Sequence, residues 1–115
     1  MTGKSYTIGR RFENYVRDIL ENSGWIVVRC AASKPIDLLA CRNGVRIAVE
    51  CRKTGRLTDN DMAKLSLLSL HGGFYPVLAY KSGKRVTFKC LCCGRDMYVS
   101  RLYWHFAIGC DKDVD

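Results

Sequence analysis

Asp37, Glu50 and Arg52 are the residues of this chain best spaced to do chemistry together. The stretch that spaces them is Ile36 to Lys53, reading IDLLACRNGVRIAVECRK. Its Asn43-Gly44 pair favours a two-residue type I′ turn. With Arg42 and Val45 flanking that turn, pairing sets Cys41 against Arg46, Ala40 against Ile47, Leu39 against Ala48 and Leu38 against Val49. Asp37 then falls across from Glu50. Cβ atoms of directly paired residues lie roughly 5 Å apart, close enough for two carboxylates to share a hard divalent cation. Period-two alternation puts Glu50 and Arg52 on one face, with Val49 and Cys51 on the other. The plainer alternative is an exposed acidic rim on a hairpin. Leu38–Ala40 and Ile47–Val49 are too apolar beside it to favour that.

A cation such as Mg²⁺ takes oxygen ligands and keeps several waters. Asp37 and Glu50 supply two carboxylates, Glu13 can supply or orient a third, and the Cys51 backbone carbonyl faces the same point. Beside basic side chains, this set suits phosphodiester hydrolysis. The ion acidifies water and screens developing charge, and an adjacent Arg or Lys stabilises that charge further. Read alone, Glu13 at the rim of a helix is equally a solvated acid or an i,i+4 partner of Arg17.

The elements that must position these groups fit one domain, or one domain with a small appendage, in 115 residues. Hydrophobic content of 48% is ordinary for a packed chain. Nineteen basic residues against 11 acidic give a formal charge of +8. Asp111, Asp113 and Asp115 cluster at the end, so the body is more basic still and suits a polyanion. The N-terminus has no apolar signal-like stretch and no run approaches membrane-spanning length. Seven cysteines, an odd number, with Cys30, Cys41 and Cys51 in apparent strands, point to a reducing, cytoplasmic setting without membrane attachment.

In chain order, Met1 to Ile8 is polar and expected to be mobile. Arg10 to Ser23 reads as a helix with Phe12, Tyr15, Val16, Ile19 and Leu20 on its apolar face and Gly24 as its stop. Trp25 to Arg29 is a first strand, and Pro35 delays the next until after it. The hairpin to Cys51 follows. Thr58 and Asp61 form an approximate capping box for a helix to about His71 that buries Met62, Leu65 and Leu68. Phe74 to Lys81 and Arg85 to Leu91 are two further strands. This order is α/β, a mixed central sheet with a helix covering each face.

The ordered segments GRRFENYVRDILENSGWIVVR, AASKPIDLLA, IAVECR, DMAKLSLLSLHGG and YPVLAYK carry a resemblance. Over roughly residues 9 to 91 the chain resembles the PD-(D/E)xK nucleases, with their restriction-endonuclease-like fold. It is specifically similar to the archaeal and viral Holliday junction resolvases. The resemblance implies a homodimeric, Mg²⁺-dependent endonuclease, with Mn²⁺ able to substitute, that nicks two strands of four-way junction DNA symmetrically. It matches Glu13 to the family's helix glutamate, Ser33 to its loop serine, and Asp37 and Glu50 to its metal carboxylates. Arg29 takes a basic position near the site. Two positions depart. Arg52 stands where the family has its catalytic lysine, and Asn14 follows the helix glutamate where arginine is common. Arg52 can neutralise phosphate but is not a compact ammonium. Lys53 points away in a regular strand unless a bulge turns it inward. The rival reading is an architectural protein that binds junctions with little or no catalysis. Phosphate contacts are expected from Arg10, Arg11, Arg29, Lys34, Lys53, Arg56, Lys81, Lys84 and Arg85.

Residues 1–91 thus read as a nuclease core and 92–115 as an extension completing the core or a dimer interface. Within it and just before it, Cys90, Cys93, His105 and Cys110 form C-x2-C-x11-H-x4-C. That is near Cys₂His₂ zinc spacing with one ligand changed. The alternative puts Cys90 and Cys92 on strand faces and Cys93 in a turn, with Tyr103, Trp104 and Phe106 as an aromatic helix. Phe74, Tyr75, Tyr103 and Phe106 are also read as aromatic side chains to spare for a dimer surface.

Overall fold

A computed structural model describes residues 3–30 and 36–110, with side chains from Arg10 onward in the first helix. That helix, α1 (Gly3–Asn22), begins well before Arg10, in the segment expected to be mobile. The segment contains no proline, and a single interior Gly9 costs only about 1 kcal/mol relative to alanine. The helix therefore continues through it.

The strands are β1 (Ile26–Arg29), β2 (Leu38–Arg42), β3 (Val45–Arg52), β4 (Tyr75–Ser82), β5 (Arg85–Cys90) and β6 (Asp96–Met97). They form one six-stranded sheet in the order β1-β2-β3-β4-β5-β6. Only β3 and β4 are parallel; the other neighbours run antiparallel. The crossover between β3 and β4 is α2 (Asp59–Gly72), as a parallel connection requires. A third helix, α3 (Val99–Ala107), follows β6.

The β2–β3 register is the one the turn dictates. Asn43 and Gly44 hold φ of 47° and 85°, and the pairs run from Arg42–Val45 to Leu38–Val49. Both turn residues need positive φ in a type I′ turn, which is why Asn-Gly selects it. The ladder stops one pair short of the expected end. Asp37 lies in a bend just before β2, so it is not a ladder partner of Glu50.

Alternation sorts the sheet into two apolar layers. Ile47, Val49 and Cys51 face one side, where Phe12, Val16 and Leu20 of α1 pack together with Leu102 and Phe106 of α3. The i, i+4, i+8 spacing of the α1 residues gives one continuous stripe. Ala48 faces the other side, against Ile36 and Leu65 of α2. Only Leu65 of α2 is fully buried; Met62 and Leu68 are half-buried, and Leu67 and Leu70 remain 57% and 77% exposed. Four leucines in six residues exceed what one helix face can bury.

Thr58 and Asp61 close a complete capping box, the Thr58 hydroxyl accepting from the Asp61 amide at 3.0 Å. The helix ends on Gly73 in the left-handed region. Phe106 is buried and stacks on Tyr75 at 4.4 Å, while Tyr103 packs edge-on to Trp25. These aromatics, read as surplus for a dimer surface, are largely spent inside the chain. Phe74 is likewise half-buried under α2.

Candidate active site

β3 and the start of α2 bring four charged groups to one end of the sheet. Glu50 and Arg52 alternate onto the face that α2 covers, and the two side chains form an ion pair. Asp37 reaches the same end from the bend before β2. Its carboxylate accepts a hydrogen bond from the Cys51 amide at 2.9 Å, an amide the short β2 ladder leaves without a strand partner. The Arg52 guanidinium then bridges the cluster. One nitrogen donates to the Cys51 carbonyl at 2.9 Å and lies 3.6 Å from Asp37, while the other donates to Asp61 at 3.0 Å.

The electrostatics follow from burial of acids beside acids. Asp37 and Glu50 are both buried, and burial together with the Asp37 charge raises the Glu50 carboxyl to about 7, with Arg52 pulling the other way. Burial opposes the Arg52 charge, but Glu50, Asp61 and Asp37 outweigh it and hold the guanidinium protonated. Burial would raise Asp61, yet its hydrogen bond from Arg52 keeps it below the usual carboxylate range. Glu50 Oε1 is buried with no hydrogen-bond partner among the described residues. An orphaned carboxylate oxygen beside a second carboxylate and a backbone carbonyl is a donor set that suits a hard cation.

Glu13 stands on α1, against the opposite layer, and lies 3.8 Å from Arg29 at the end of β1. Burial pushes the Cys51 thiol well up, and the charges of Asp37, Glu13 and Glu50 add to it, so the Glu13 field reaches the same end of β3. Arg29 also donates to the Asn14 side chain. Ser33 and Lys34 lie outside the described residues. Lys53 is exposed just past β3, whose pairing with β4 stays regular through Arg52–Tyr80. No bulge turns it inward. With Arg11 and Lys81 it instead lines a separate basic cleft of about 220 Å³ over Phe12 and Tyr15. Arg10, Arg56 and Lys84 are exposed, and Arg85 lies over the Tyr98 ring at 4.6 Å.

Two participants escaped the sequence reading. Asp61 had a sufficient role as a helix cap, and its oxygen serves both the cap and Arg52. The available signal was position: a capping acid opens the helix that follows directly from the strand carrying Glu50 and Arg52. Asn14 was noticed only as a departure, and its contact with Arg29 was missed.

A second constellation lies at the far end of β5. The ligand atoms of Cys90, Cys93, His105 and Cys110 all fall within 4.8 Å of one another. Cys90 and Cys110 sulfurs are 3.3 Å apart, and His105 Nε2 is 3.1 Å from Cys110 and 3.6 Å from Cys93. Cys92 is exposed and stands apart from this group.

A mixed sheet with one central parallel pair, flanked by helices on both faces, is an α/β fold of the restriction-endonuclease-like class. Within that class, the profile of the archaeal Holliday junction resolvase (Hjc) family matches residues 4–91, so the chain belongs to that family. It is 33% identical over 87 residues to the crossover junction endodeoxyribonuclease Hjc of Methanocaldococcus jannaschii, covering 72% of this chain. The match spans 65% of the length of that relative. Among solved structures, Hjc of Archaeoglobus fulgidus, a Holliday junction resolvase, superposes with a TM-score of 0.60 at 25% identity. That match covers 68% of this chain and 72% of the other. No helix among the described residues is long and apolar enough to cross a membrane.

Proposed function

We propose that this chain is a structure-selective endonuclease that binds four-way DNA junctions and introduces paired nicks by metal-dependent phosphodiester hydrolysis. The observation that carries the reading is the convergence of Asp37, Glu50 and the Cys51 carbonyl, with Glu50 Oε1 left without a partner. Family membership supports the substrate class. Asp37, Glu50 and the Cys51 carbonyl would hold Mg²⁺ or Mn²⁺, with Glu13 orienting the group from α1. The chemistry such an ion supplies when bound is acidification of water and screening of charge on the scissile phosphate.

The chain's own residues do the rest. With Asp37 and Glu50 given over to a cation, Arg52 would keep Asp61 as its anchor, which would set the guanidinium against the phosphate. The exposed cations Arg10, Arg11, Lys53, Arg56, Lys81, Lys84 and Arg85 contact the junction backbone, and Arg29 steadies Glu13. A homodimer fits a two-fold substrate needing two cuts. Leu67 and Leu70, exposed on α2, are available for its surface.

One observation favours a second reading. Arg52 already bridges Asp37, Glu50 and Asp61, as a tethered cation would, so the chain would bind junctions without cutting them. Incubation with labelled four-way junction and matched linear duplex, with Mg²⁺ or EDTA, separates the two. Junction-selective nicking that EDTA abolishes supports the nuclease. Selective binding without nicking under either condition supports the second reading.

A further inference from the structure

β6 and α3 lie beyond the segment matched by the family profile, which ends at residue 91. α3 is nine residues long, has no acid in its first turn and no side-chain cap at Tyr98. An isolated helix of that length is marginal in water. Leu102 and Phe106 bury one face, and Cys110 just beyond α3 packs against the same cluster. A chemical fastening is also on offer there. Gly94, at φ 80°, lets the chain turn back so that its amide donates to the Cys90 carbonyl at 2.7 Å, and the Cys90 amide donates to the Arg95 carbonyl at 2.9 Å. This tight knuckle aims backbone amides of Cys92 and Cys93 at the Cys90 sulfur, and that of Arg95 at the Cys93 sulfur. Across from them, Cys110 takes φ 49°, uncommon for a non-glycine residue, and its amide donates to the His105 carbonyl at 3.1 Å. That conformation turns its sulfur back toward Cys90 and His105.

We infer that Cys90, Cys93, His105 Nε2 and Cys110 form a structural Zn²⁺ site that fastens the end of α3 to the end of β5. Zinc–sulfur bonds of about 2.3 Å and zinc–nitrogen bonds of about 2.0 Å place tetrahedral ligands roughly 3.5 to 3.8 Å apart. The observed 3.6 Å lies inside that range and the 3.1 and 3.3 Å separations lie just short of it, so the side chains need only move apart by a few tenths of an ångström. Four protein ligands leave no open position, so the site is structural and takes no substrate. Binding displaces three thiol protons and leaves the imidazole neutral, giving the Cys₃His centre a net charge of −1 beside Arg95. Cys92, Cys41, Cys30 and Cys51 take no part. The site is independent of the acidic end and of the nuclease reading.

The test uses the full chain purified under reducing conditions without chelator or added zinc. Elemental analysis returns about one zinc per chain, and all seven cysteines titrate once the protein is denatured. Replacing zinc by Co²⁺ gives the intense visible bands of tetrahedral cobalt with sulfur-to-cobalt charge transfer. Cys110→Ser and Cys93→Ser weaken those bands, whereas Cys92→Ser leaves them unchanged. Chelation shifts the emission of buried Trp25 to the red as Tyr103 of α3 withdraws from it. Zinc near zero with an octahedral cobalt spectrum in the unaltered protein overturns the assignment. So does a denatured, unreduced protein lacking two thiols and containing no zinc, which would make Cys90–Cys110 a disulfide.

Discussion

Arg52 carries the largest consequence of any single residue, because the guanidinium touches Asp37, Glu50 and Asp61 at the end of β3. If it stabilises the phosphate during cleavage, Arg52→Ala lowers the single-turnover rate roughly 10²–10³-fold, as loss of one such donor does. Arg52→Lys keeps a donor and a charge, and retains or improves the rate. Lys53→Ala weakens junction affinity and leaves the rate of bound substrate nearly unchanged, since Lys53 lines the cleft with Arg11 and Lys81. A large rate loss in Lys53→Ala with Arg52→Ala active would contradict this assignment. Glu50 adds a pH signature. Its carboxyl rises from 4.5 to about 7 in the fold, so the native metal-free state holds a proton that the unfolded state has released. The associated stability is complete below 4.5 and is lost as pH rises through 7. Melting of the metal-free protein across that interval should therefore decline more steeply than that of Glu50→Gln. Parallel pH profiles would show that the buried Glu50, pressed by Asp37, contributes nothing to linkage.

At the scale of elements, the capping box of α2 couples helix stability to the site through Asp61. Thr58→Ala removes the hydroxyl that accepts from the Asp61 amide and should cost about 1 kcal/mol in denaturant unfolding. It should also loosen Arg52, detectable as a raised KM for junction with Asp61 no longer fixed. No change in either quantity would leave the cap without a role. The capping box was legible because Thr58 and Asp61 sit at the required spacing, and the hairpin register because Asn43-Gly44 admits one turn. Both are local rules. Asp61's bond to Arg52 depends on where α2 enters relative to β3, and no local rule sets that. The early start of α1 at Gly3 and the departure of Asp37 from the ladder are choices among near-equal local states. The stacking of Tyr75 on Phe106 joins residues 31 positions apart across the sheet. Aromatic content alone could not tell that pair from a free surface. The grouping of Cys90, Cys93, His105 and Cys110 was visible by spacing; the fold adds that their side chains meet and that Cys92 stands apart.

For the whole molecule, the charge of +8 and the exposed arginines and lysines predict that junction affinity falls steeply with salt. Removing one phosphate contact, as in Lys84→Ala or Arg56→Ala, should weaken binding alike across sequences and reduce the salt slope by about one. A slope unchanged by either substitution would place the DNA elsewhere. Light scattering should return twice the 13.0 kDa chain mass, and Leu67→Glu with Leu70→Glu should return the monomer. A monomer in the unaltered protein, with or without junction, would refute the dimer. The most direct measurement is single-turnover cleavage of a labelled four-way junction in Mg²⁺ by the unaltered chain, Asp37→Asn and Glu50→Gln, with binding recorded beside it. The account predicts nicking by the unaltered chain and its collapse in both variants, while junction affinity is kept or strengthened as negative charge is lost. Cleavage undiminished in both variants would contradict it.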